Sequence, residues 1–103
     1  DDDIKAMSEL YRVLKKGGVG IFQIPIDIKR KKTFEDPSIT EPKERNRRFG
    51  QYDHVRIYGM DYFDRLFSVG FSVQQIHYAK YLTKEEITRY CLNPKEIIPV
   101  CKK

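Results

Sequence analysis

The chain has 103 residues, of which 40% are hydrophobic and 34% charged, and it carries a formal net charge of +5. This composition supports one core of domain size and excludes wholesale disorder, and no apolar run reaches the roughly 20 residues that a membrane helix needs. The acidic start lacks signal-peptide character, and Cys91 and Cys101 have neither disulfide-framework nor zinc spacing, so a cytoplasmic protein with reduced thiols, no metal and no membrane contact is expected.

The first element is an amphipathic helix. Ile4, Met7, Tyr11 and Leu14 recur at helical spacing, and Ala6, Leu10 and Val13 widen them into a broad apolar stripe. Asp1 to Asp3 suit its amino end, Lys15 and Lys16 its carboxyl end, and Gly17 ends it. Val19, Ile21, Phe22, Ile24 and Ile26 then read as a strand covered on both faces. A helix joined to such a strand by two glycines is half of a βαβ crossover.

Residues 27–50 form a polar stretch whose large apolar residues, Ile28, Phe34, Ile39 and Phe49, lie too far apart for a core face, while Pro37 and Pro42 interrupt any long helix. The stretch reads as a mobile loop or insertion, placed to act as a lid because it leaves the carboxyl end of the strand. Residues 29–32, Arg45, Arg47 and Arg48 are its basic cluster, the strongest nucleic-acid signal in the chain; interleaved Asp27, Glu35, Asp36, Glu41 and Glu44 argue for a solvated loop instead.

Tyr52, Asp53, His54, Arg56 and Tyr58 follow within seven residues. A helix over about 60–69 carries Tyr62, Phe63, Leu66 and Phe67 on one side and stops at Gly70; residues 71–78, with broken alternation, read as a strand near a sheet edge. Thr83 and Glu86 form a capping box at the start of a further helix. The last extended segment, 96–103, contains Pro99, which cannot donate to a ladder and so calls for a bulge or an edge position.

The run Glu9-Leu-Tyr-Arg-Val-Leu-Lys-Lys-Gly-Gly, followed by a hydrophobic strand ending at Ile24 and Pro25, resembles the late motif of class I S-adenosylmethionine-dependent methyltransferases of the type 11-like kind, with Lys16 in place of the usual proline. The stretch from Tyr58 to Val73, with its Gly70-Phe71 pair, is similar to that family's next helix and the start of its sixth strand. The resemblance implies an α/β fold: the carboxyl-terminal part of a Rossmann-like sheet, strands five, seven and six with flanking helices. Residues 1–103 then form a single partial domain, completed by a missing amino-terminal half.

Methyl transfer to a small-molecule acceptor is the function the resemblance implies for the parent enzyme. On that reading His54 is the candidate base and Tyr52 the alternative. Arg56 is an anchor for a substrate carboxylate or phosphate, and Tyr58, Gln23 and Ile26 are further substrate-binding candidates at the carboxyl end of the strand. The competing reading of Asp53 and His54 is a loop fixed by hydrogen bonds. The family's cofactor is S-adenosylmethionine, but Gly17, Gly18 and Gly20 follow a helix and precede a strand, so this chain alone is expected to hold no cofactor and to be inactive. Without its partner half, strand 19–24 is expected to be exposed and to form a homodimer. A stand-alone basic nucleic-acid-binding module and a structural interaction module are the alternatives.

Overall fold

The computed structural model describes residues 2–103. Helix α1 (Asp3–Val13) begins where the Asp2 carboxylate accepts the Lys5 backbone N–H at 3.0 Å, satisfying one of the unpaired amides of its first turn. It buries Met7 and sets Tyr11 and Leu14 against the core, whereas Ile4, Leu10 and Val13 remain exposed. The stripe therefore splits: one half packs within the chain and the other faces outward.

Past Gly17, strand β1 (Val19–Ile21) lies at the edge of a three-stranded sheet of order β1-β5-β4. The carboxyl-terminal strand β5 (Ile98–Lys102) runs between β1 and β4 (Ser72–Ile76), antiparallel to both. β4 lies at the sheet edge, as its broken alternation leads one to expect. The fold is mixed α/β. The expectation that β1 is covered on both faces fails: Val19 and Ile21 are 57% and 63% exposed. Alternation places them on one side of the pleat, away from the side that carries Gly20.

Pro99 neither forms a bulge nor sits on an edge strand. The β4 ladder passes it in unbroken register, Gln74 opposite Val100, Gln75 opposite Pro99 and Ile76 opposite Ile98. On the other side the ladder stops one residue earlier, at Ile21 opposite Val100. Phe22, next in line for Pro99, instead gives its carbonyl to the Tyr62 hydroxyl at 2.7 Å. The proline is tolerated because pairing with β1 has ended where its missing N–H would matter.

The core is built by Met7 from α1, Tyr62 and Leu66 from α3 (Tyr62–Ser68), Phe71, and Cys101 from β5. Tyr11 meets the Phe71 ring edge-on at a centroid distance of 5.1 Å, and Phe22 meets it at 5.4 Å. Cys101 is fully buried between Gly20 and Val73, and burial pushes its thiol pKa up. Phe67, assigned to the buried face of this helix by its spacing, is 70% exposed instead; α3 is only seven residues long and buries one side alone. Gly70 ends it at φ +118°, and a side chain there would also strike the Tyr11 ring. The capping box is present, with Thr83 and Glu86 bonded reciprocally at 3.1 and 3.0 Å at the start of α4 (Lys84–Arg89).

The polar stretch 27–50 is not irregular throughout. It contains β2 (Phe34–Glu35), antiparallel to β3 (Arg56–Ile57), and α2 (Pro42–Phe49). Pro42 opens that helix rather than breaking it, since a first-turn residue needs no intrahelical N–H bond. Phe49 is buried and packs on Phe34 at 5.6 Å, so two residues too far apart in sequence for one core face meet where α2 lies against β2.

Candidate functional site

Beyond β1 the chain leaves the sheet. Residues 24–27 become a wall between two cavities, beyond the carboxyl end of β1. Backbone bonds hold the wall in place: Ile26 forms a parallel bridge with Tyr58, and the Asp27 N–H donates to the Tyr58 carbonyl at 2.9 Å.

The larger cavity, about 530 Å³, lies between this wall and residues 53–58. Ile24, Ile26, Phe49, Val55 and Ile57 make it mainly apolar, with His54 and Arg56 among its polar groups. The His54 backbone N–H donates to the Gln51 carbonyl at 3.1 Å, and its Nδ1 lies 3.2 Å from the Phe49 carbonyl oxygen. A carbonyl only accepts, so Nδ1 carries the proton in that bond and the neutral ring keeps its lone pair on Nε2. The same contact ties the ring to the carboxyl end of α2, as the loop-fixing reading of His54 expects.

Arg56 is held rather than free. Its Nε donates to Glu35 at 2.8 Å, and its guanidinium lies over the Tyr58 ring at 5.7 Å. Tyr58 lends the cavity its ring, while its hydroxyl donates to Asp3 at 2.8 Å. Burial, followed by that bond, pushes the Tyr58 pKa up to about 12. Asp3 also receives Arg65 at 2.6 Å, and Arg65 reaches Glu35 at 3.6 Å and Asp61 at 3.8 Å. This latch ties α1, β2, β3 and α3 together behind the cavity. Burial opposes the Asp3 charge, but the bonds from Arg65 and Tyr58 prevail and hold its carboxyl below the usual range.

Of the six candidates, His54, Arg56, Tyr58 and Ile26 converge on this cavity. Gln23 lies on the other, where it donates to Glu96 at 2.6 Å. Tyr52 is 64% exposed and belongs to neither lining. Sequence reasoning missed Phe49, Asp3, Glu35 and Arg65. For Phe49 a signal existed: Pro42 and Gly50 bracket a helix in the usual asymmetric way. Asp3 was assigned to the helix end, and its pairing with Arg65, 62 positions away, leaves no local trace.

In the basic cluster, Arg30 pairs with Asp27, and both Arg47 and Arg48 pair with Glu44. Among the described residues no group of His, Cys, Asp or Glu is arranged to hold a metal, and no helix is long and apolar enough to cross a membrane. Comparison with protein-family models finds no match, and none is found among curated proteins or solved structures.

Proposed function

We propose that the chain is the carboxyl-terminal part of a class I S-adenosylmethionine-dependent methyltransferase domain, and that the cavity beside His54 receives the methyl acceptor. The observation that carries this reading is β5 lying antiparallel between β1 and β4, the order that the resemblance implies for strands five, seven and six. The run from Glu9 to Gly18 supports it by supplying the family's helix-to-strand motif at the start of the same sheet. The outward apolar residues Ile4, Leu10, Val13, Val19 and Ile21 suit a domain completed by another half. Two free thiols suit a cytoplasmic setting.

The residues present do not fit the cofactor itself. Gly17 and Gly18 lie in a turn between the end of α1 and the start of β1 rather than at the opening of a helix, and a Cβ on Gly20 would run into the Phe22 ring, so that glycine accommodates packing rather than a phosphate or ribose. Binding of S-adenosylmethionine is therefore assigned to the other half of the parent domain.

What this chain contributes is the acceptor side. The apolar walls exclude water from a small, mainly apolar acceptor. His54 Nε2 accepts a proton from the acceptor's nucleophilic atom, and the imidazolium that forms keeps its Nδ1–H on the Phe49 carbonyl. Arg56, fixed by Glu35, is the cationic side chain of the lining beside Asp27 and Asp53, and offers an acidic group on the acceptor a charge-assisted partner.

Calorimetric titration with S-adenosylmethionine tests the reading, using the 103-residue chain and a longer protein translated from upstream of Asp1. Micromolar affinity in the longer protein and none in the chain is expected. Absence of binding in both would overturn the methyltransferase assignment, and binding to the chain alone would overturn the division of labour.

A further inference from the structure

The second cavity, about 460 Å³, lies on the opposite side of the 24–27 wall, between residues 23–29 and the 93–97 turn. Ile24, Ile26, Ile28, Phe63 and Ile97 give it an apolar floor. Its polar groups are unevenly engaged. Asp27 accepts the Lys29 backbone N–H at 3.0 Å and lies 3.3 Å from the Arg30 guanidinium, and Glu96 accepts the Gln23 amide at 2.6 Å. The two carboxylates thus have partners within the fold. Lys29 and Lys95 also line the cavity, and among the described residues neither forms an ion pair.

We propose that this cavity binds an amphiphilic anion: an apolar body lying on the isoleucines and Phe63, with a carboxylate or phosphate head between Lys29 and Lys95. A concave apolar pocket with a few polar groups is the common form of a small-molecule site. Exposed lysines in its lining favour an anionic head by charge-assisted hydrogen bonds, without requiring the planar geometry that arginine would impose. The site stands apart from the His54 cavity. Its test reads binding to the chain itself, so it survives or fails independently of the methyltransferase reading.

Octanoate and octyl phosphate are suitable probes for the two head groups, and octanol is the neutral control. In amide-resolved NMR titrations of the 103-residue chain, either anion should move the signals of Gln23, Ile28 and Ile97, with octanol binding at least about tenfold more weakly. The double variant Lys29→Gln/Lys95→Gln removes only exposed charges, and its spectrum verifies the fold. It should reduce affinity for the anions about tenfold and leave octanol unchanged. Equal affinity for octanol and octanoate, unaltered affinity in the double variant, or shifts centred on His54 and Val55 would each overturn the proposal.

Discussion

Replacing Asp3 by Asn preserves shape but removes the charge that receives two donors, the Tyr58 hydroxyl at 2.8 Å and Arg65 at 2.6 Å. A hydrogen bond to a charged group is worth about 1.5–3 kcal/mol. The Asn oxygen retains part of each bond and the cluster keeps some access to water, which together reduce the combined loss to about 2 kcal/mol. For a chain of this size, with a urea slope of roughly 1.2 kcal/mol/M, the midpoint should fall by about 1.5–2 M. There is no tryptophan, so far-UV circular dichroism is the suitable probe. The effect should also depend on pH. The Asp3 pKa is lower folded than unfolded, so its contribution is fully present above the ordinary aspartate range and disappears as pH falls through the depressed value. Wild type and variant should therefore differ at pH 7 and converge in acid. A midpoint change below about 0.4 M at pH 7, or a difference that persists unchanged into strong acid, would refute the latch as an energetic link.

Gly70→Ala forces a side chain into a φ of +118° and against the Tyr11 ring, and should cost about 1–3 kcal/mol in the same urea assay. On the proposed methyltransferase reading, His54→Ala in the parent enzyme should lower turnover by about 10²–10⁴-fold while Tyr52→Phe leaves it unchanged; steady-state kinetics with a methyl acceptor would decide, and the opposite pattern would give the base role to Tyr52. The 103-residue chain should self-associate through the open edge of β1, giving sedimentation coefficients that rise with concentration. Ile21→Lys should abolish that rise, and a wild-type chain monomeric at every concentration would show the edge to be covered.

Legibility in the sequence followed the range of the interactions involved. The start of α1 and the capping box of α4 rest on residues three apart, Asp2 with Lys5 and Thr83 with Glu86, and both are visible as local patterns, whereas the end of α1 is not: the helix stops at Val13 with Leu14 as its cap, before Lys15, Lys16 and Gly17. The helix in the polar stretch was hidden because Phe49 is its one buried residue and the ring it meets, Phe34, lies on a separate strand. The latch was hidden for the same reason: Asp3 reads as a helix-end charge, Arg56 as a substrate anchor and Glu35 as a solvated loop charge until the chain brings them together with Arg65. At the site, the sequence marked the segment from Tyr52 to Tyr58 as dense in chemistry. It could not tell that His54 faces a cavity while Tyr52 faces water, a difference of two residues in a turn without a repeating period.

Pro99 has a consequence for how this region can change over time. The parting of β1 from β5 coincides with an atom that Pro99 does not have, and the freed Phe22 carbonyl is taken up by Tyr62. Neither feature belongs to the cavity walls beyond it. Side chains such as Ile28, Val55 or Ile97 can therefore be exchanged to suit a new ligand without closing the fork that separates the two chambers. The backbone sets where the chambers open, and the walls remain free to specialise.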